Sequence, residues 1–224
     1  FGTGADDLGV VETTAEPTEE PTTTPPGAPV ECDDPVASYA PEDELPEAGS
    51  MPSGSTMAEI EERGELIVGV SADTLLMSAR NPFTGRIQGF DVDVLREVSR
   101  AIFGDPDRLR FRVITSAQRI EVLTSGEVDL VARAFTITCQ RWESIAFSAE
   151  YYGAGQKVLV ASGPEGESPA VQGLEDLGGQ RVCAPEGTTT LTRLDDYPSI
   201  EPVPAPTHAP ACAGVGAGNA PRNQ

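Results

Sequence analysis

The sequence predicts an α/β fold of two lobes with parallel-rich sheets, the second lobe incomplete. Three observations carry that reading. LIVGV (66–70) and VDLVA (128–132) are nearly all-apolar runs, the pattern of strands covered on both faces. Between them, GFDVDVLREVSRAIFG (89–104) repeats apolar residues at helical spacing. The resulting order of strand, helix, strand, helix, strand calls for parallel pairing through right-handed crossovers.

Each element has its own local warrant. STMAEIEERG (55–64) predicts a short helix, with Thr56 and Glu59 as a capping box and Gly64 as the stop. NPFTG (81–85) is a turn signal. In the helix that follows, Asp91 is placed to cap, Val94, Leu95, Val98 and Ile102 form the apolar stripe, and Gly104 closes it. LRFRVIT (109–115) alternates Leu109, Phe111 and Val113 with arginines, as a strand does, and a short helix over 117–125 ends at Gly126. A second unit starts with strand-like QKVLVA (156–161), a helical turn at LEDLG (174–178), strand-like QRVCA (180–184) and a helix opened by PEGTTTLTRL (185–194).

The ends differ in composition. Residues 1–50 hold thirteen acidic residues and eight prolines and no Lys or Arg, so more than half of the net charge of −21 lies there. Such a segment has too little apolar surface to offset chain entropy and reads as a disordered tether. The expected division is a tether at 1–50, a first lobe at 51–153, a partial second lobe at 154–204, and an irregular Ala/Gly/Pro-rich tail at 205–224. From Pro202 onward the sequence is Pro, Ala and Gly rich without periodicity, a poor way to finish a sheet, which suggests truncation or a shifted reading frame.

Composition also excludes classes. An acidic chain with no basic stripe is unsuited to nucleic acid. No apolar run approaches the ~20 residues that span a bilayer. The chain starts at Phe1, consistent with a signal sequence removed or left out. Cys32, Cys139, Cys183 and Cys212 contain no CxxC pair, and His208 is the sole histidine, so neither a metal nor another cofactor is indicated. Export favours at least one disulfide among the four, with three pairings open and buried free thiols as the alternative.

In an open α/β sheet ligands sit beyond the carboxyl ends of the parallel strands. Those positions are polar here: Ser71, Asp73 and Thr74, then Thr115, Ser116 and Arg119, then Thr136, Thr138 and Arg141. The fork of donors on Arg141 fits a carboxylate with two parallel hydrogen bonds, and Thr136 can add a hydroxyl and an N–H. GTTT (187–190) offers a glycine and hydroxyls at a helix start, a second half-site for an anion. Plainer readings stand beside these. Arg141 could pair with Glu143 on the surface, Thr188 could simply cap its helix, Asp91 and Asp93 read as cap and first-turn acids, and Trp142 could pack at the rim. His208, in the tail, has no evident role.

RGELIVGVSADT, GFDVDVLREVSRAI, SGEVDLVARAFTITCQR, IAFSAEYY and GLEDLGGQRVCAPEGTT together resemble the bacterial extracellular solute-binding proteins of family 3, over about residues 56–204. The likeness is greatest to glutamine/glutamate-type lipoproteins of actinobacteria. It implies a periplasmic-binding-protein-like fold and a non-enzymatic receptor that captures a polar amino acid, glutamine, glutamate, aspartate or asparagine, and hands it to an ABC permease. It also implies an extracytoplasmic location with an N-terminal lipid anchor. The arginine that grips the ligand α-carboxylate in this family follows T-x-T-x-x and falls on Arg141. Adjacent contacts fall on Ala134 and Thr136, the Gly-Thr-Thr element on Gly187, Thr188 and Thr189, and the side-chain-reading position on Asp73, with Arg119 as a further candidate.

The sequence departs from that family in two places. Leu75, Leu76 and Met77 stand where an aromatic often stacks on the ligand. Nothing after Pro204 matches the acid that accepts the ligand ammonium, so weak binding or none is expected of the chain as written. A sensor domain for a membrane kinase would use the same cleft but normally continues into a transmembrane helix. A dehydratase on this fold would need a general acid in the cleft, where the sequence offers no histidine and no clear carboxylate beyond Asp73.

Overall fold

The computed structural model describes residues 32–39, 44–160 and 171–207, all within the compact unit Cys32–Gln224. Helix α1 (Thr56–Arg63) is capped by Ser55 rather than by Thr56. Ser55 has extended backbone and its Oγ accepts the Ala58 N–H at 3.1 Å, while Thr56 is already helical and cannot serve. Gly64 ends the helix at φ 81°, its N–H reaching the carbonyls of Ile60 and Glu61.

Strand β1 (Leu66–Val70) follows, then three short strands that the sequence reading does not foresee. These are β2 (Asp73–Thr74), β3 (Ser78–Arg80) and β4 (Ile87–Gln88), an antiparallel sheet in the order β2-β3-β4. The NPFTG turn joins β3 to β4: Asn81 Oδ1 accepts from the N–H groups of Phe83 and Thr84.

Helix α2 (Phe90–Phe103) starts at Gly89, not at an Asp91 cap. Gly89 has φ 134° and lies so close to β3 that a Cβ would be 2.5 Å from the Met77 carbonyl. Asp91 is one position inside the helix and buried, where it accepts a 2.8 Å hydrogen bond from the Tyr151 hydroxyl. The buried stripe is Val92, Leu95 and Ile102, with Val98 packed beside it and Val94 half-buried.

Next come β5 (Leu109–Val113), α3 (Arg119–Thr124) and β6 (Leu130–Ala132). The main sheet has the order β5-β1-β6 with every pair parallel, as the strand-helix alternation predicts. The central position of β1 explains its apolar sequence: Leu66, Val68 and Val70 are all buried, and each such side chain stabilises by roughly 1.5–3 kcal/mol. They share one core with Ile60, Val92 and Leu95, while Ile114, Val122 and Val128 form a smaller cluster.

After the four-residue helix α4 (Cys139–Trp142), the chain crosses to a separate apolar cluster of Leu177, Val182, Ala184, Leu194 and Ile200. There a 3-10 turn (Leu174–Leu177), β7 (Arg181–Pro185), α5 (Thr189–Arg193), a second 3-10 turn (Leu194–Asp196) and β8 (Glu201–Ala205) follow in order.

Two expectations are corrected here. Residues 156–160 form no strand; Leu159 is 97% exposed, and no strand among the described residues pairs with the segment. Conversely, the Pro-rich stretch 201–205 is a strand, parallel to β7. Glu201 donates to Gln180 O and Ala205 accepts from Glu186, so the odd positions face β7. Pro202 and Pro204 therefore turn their missing donors toward the edge away from β7, where no bond to β7 is lost. His208 and Cys212 lie outside the described residues.

Candidate ligand site at the strand ends

Arg141 is presented by α4. Thr138 caps that helix, its Oγ1 accepting the Arg141 N–H at 3.4 Å, so the helix starts at the end of the TIT run. The Arg141 guanidinium donates through Nη1 to Thr136 O and through Nη2 to Gly187 O at 3.1 Å, and stacks 4.5 Å from the centre of the Phe135 ring. Among the described residues no ion pair joins Arg141 to Glu143. Burial lowers the Arg141 pKa, yet a guanidinium remains charged at neutral pH.

Arg119 lies on the same ring, 4.1 Å from its centre, and is only 2% exposed. It donates to Ser116 O at 2.8 Å, Arg133 O at 3.2 Å, Ala134 O at 2.9 Å and Gly187 O at 2.9 Å. Burial first, then the neighbouring charges of Arg141 and Arg133, lower its pKa to about 9, so it too is a cation at pH 7.

The remaining predicted positions divide into those that join this cluster and those beside it. Thr136 Oγ1 is 3.3 Å from Thr189 Oγ1, which also accepts from Gln156 at 3.0 Å. Ala134 adopts φ 38°, a left-handed conformation that aims its carbonyl at Arg119. Thr188 is committed to α5: its hydroxyl donates to Pro185 O and accepts the Leu191 N–H. With only five residues, α5 contributes little dipole.

Asp73 lies on the other side of Arg133, its Oδ1 accepting from Ser71 Oγ at 2.6 Å and lying 4.0 Å from Arg133 Nη2. Arg133 escaped the sequence reading. It is 1% exposed and donates to Ile114 O at 2.7 Å and to Ser116 Oγ. The signal was present in DLVARAF, where one arginine directly follows an apolar strand. A chain of contacts thus runs Asp73, Arg133, Ser116, Arg119, Gly187, Arg141.

The outer side of α4 is clasped by the preceding acidic segment. Cys32 and Cys139 form a disulfide, Trp142 Nε1 donates to Pro35 O at 2.8 Å, and Tyr39 meets the Trp142 ring edge-on. Trp142 therefore packs against 32–39 rather than a ligand. Cys183 is also disulfide-bonded, so the expected export disulfides are present. Residues 32–39 belong by composition to the tether, yet they are tied to the folded part.

The model of the bacterial extracellular solute-binding proteins, family 3, matches residues 66–196 of this sequence. The chain belongs to this family. It is 34% identical over 149 residues to the ABC transporter glutamine-binding protein GlnH of Bacillus subtilis (strain 168), covering 66% of this chain and 53% of that protein. It is 36% identical over 147 residues to the glutamate/glutamine/aspartate/asparagine-binding protein BztA of Rhodobacter capsulatus, covering 65% of this chain and 42% of the other. Among solved structures, the arginine-bound Gly52Ala mutant of ArgBP from T. maritima superposes with a TM-score of 0.64 at 30% identity, covering 72% of this chain and 73% of that one. The ancestral amino acid-binding protein AncCDT-1, a precursor of cyclohexadienyl dehydratase, gives 0.65 at 28% identity, with coverages of 73% and 70%. The chain spans about half of the length of the protein relatives it matches, and only part of the two-lobe fold of this family.

Proposed function

We propose that this chain carries the carboxylate-gripping part of an extracytoplasmic receptor for a polar amino acid, which passes its ligand to an ABC permease. The observation that supports this reading is the placement of Arg141. Its guanidinium lies past the carboxyl end of β6, between Thr136 O and Gly187 O, and so joins the end of the main sheet to the loop between β7 and α5. A carboxylate entering there exchanges two neutral acceptors for a bidentate, charge-assisted pair. Ala134, Thr136, Gly187, Thr188 and Thr189 complete the enclosure, and Asp73 lies on the side where a ligand side chain would extend, while Arg119 and Arg133 are buried beneath, bonded to protein atoms.

Glutamine, glutamate, asparagine and aspartate are the ligands favoured by the relatives' names. The lobes divide near 153 and 154; of the stretch 1–50, the part before Cys32 tethers the receptor to a lipid anchor while 32–39 clasps α4, and the tail begins after Ala205. Binding rather than catalysis is the reading favoured: among the described residues, the carboxyl that burial holds above its ordinary range is Asp91, in the first turn of α2, and it accepts a hydrogen bond from Tyr151 instead of standing free as an acid. Calorimetric titration of the full-length protein with Gln, Glu, Asn, Asp, Arg and His tests the reading. Saturable heat with at least one of the first four, lost in Arg141→Ala, supports it; no heat with any, or undiminished affinity in the variant, refutes it.

A further inference from the structure

Arg119 uses its N–H groups in an uneven way. Nε and Nη1 donate to Ser116 O, Arg133 O and Ala134 O, all on loops at the end of the main sheet. Those three contacts fix the guanidinium, so that Nη2 is aimed at Gly187 O, 2.9 Å away on the loop between β7 and α5, with little rotamer freedom left to lose. We infer that Arg119 is a docking post that holds the Gly187–Thr189 loop over the strand ends, acting on all ligands alike rather than reading one side chain.

Gly187 is built to meet that post. It has φ 69°, and a Cβ there would lie 2.8 Å from Ala117 Cα and 3.2 Å from Ala117 N. Backbone thus meets backbone, and only glycine permits the approach. Its carbonyl is shared, since Arg141 Nη2 also donates to it at 3.1 Å. A carboxylate arriving at Arg141 competes for that second bond only, and Arg119 keeps the loop seated while the exchange takes place. Arg119 is accordingly a positioning residue, since its hydrogen bonds all go to backbone carbonyls.

The test has two arms, of which only the second rests on the receptor reading. The first is amide hydrogen exchange of the ligand-free full chain, comparing wild type with Arg119→Gln and Gly187→Ala. Both variants should lose protection across residues 186–192 while Leu66–Val70 stays protected. If Arg119→Gln also exposes the main sheet, Gly187→Ala, which leaves the buried guanidinium in place, decides alone. Unchanged protection at 186–192 in Gly187→Ala overturns the inference. The second arm is titration with the six amino acids: affinity should fall by about tenfold for every ligand bound, with their ratios preserved. A change in those ratios would instead make Arg119 a reader of ligand side chains and overturn the inference. Should the wild type bind none of the six, the receptor reading fails and the exchange arm still judges the post.

Discussion

Arg141 serves by shape as well as by charge. Its two terminal nitrogens face different carbonyls, Thr136 O and Gly187 O, and its plane lies against Phe135. A lysine keeps the cation but neither the fork nor the stacking, so Arg141→Lys should weaken ligand binding at least tenfold by calorimetry, without lowering the melting temperature appreciably. Asp91 makes a second prediction, on stability. Burial raises its pKa above 3.8 despite the hydrogen bond from Tyr151, so the folded state binds this proton more tightly than the unfolded chain. The stability it lends is complete below the unfolded value near 3.8 and is lost as pH rises through the higher folded pKa. Asn at this position still accepts from Tyr151 without a charge. Asp91→Asn should therefore raise the melting temperature at pH 7, with the advantage shrinking toward zero as pH falls below 4; an advantage that does not depend on pH would contradict this. The position of Arg141 past the end of β6 was legible, because it follows an apolar strand and a Thr-rich turn. The role of Asp91 was not, because its partner Tyr151 lies sixty residues away.

Among the elements, β1 was the most legible and the segment after 156 the least. LIVGV reads as a central strand because both of its neighbours, β5 and β6, cover its edges, and the flanking helices cover its faces. QKVLVA carries the same local pattern, but a strand is a property of a pair, and the described residues offer it none. The prolines misled in the other direction: Pro202 and Pro204 argue against a strand until the register shows that their ring nitrogens face the edge of β8 away from β7. Gly69 sets how closely the main sheet can pack. A Cβ there would come within 2.9 Å of both Ile114 Cδ1 and Val131 Cγ2, ends of side chains that are themselves packed. Gly69→Ala should cost about 1–3 kcal/mol in urea unfolding, as overpacking does, and a neutral result would show that both side chains can step aside.

Taken as a whole, the molecule gathers its site from distant parts of the chain. The α4 helix is held from outside by the Cys32–Cys139 disulfide, which closes a loop with a sequence separation of 107, and from inside by contacts to Thr136 and Gly187. Removing the bond with Cys32→Ser and Cys139→Ser together should cost about 2–4 kcal/mol in denaturant unfolding, since the open chain regains the entropy that the loop withholds. Composition could not show that 32–39 clasps Trp142, because the clasp depends on one cysteine, one proline carbonyl and one aromatic ring. The central claim, that Arg141 receives the α-carboxylate of an amino acid, is tested most directly by a four-way titration. Wild type and Arg141→Ala are each titrated with L-glutamine and with its α-carboxamide, which has the same shape without the charge. Wild type should bind the acid at least a hundredfold more tightly than the amide, and the variant should bind the two about equally. A variant that keeps the full preference for the acid would place the carboxylate elsewhere and contradict the account.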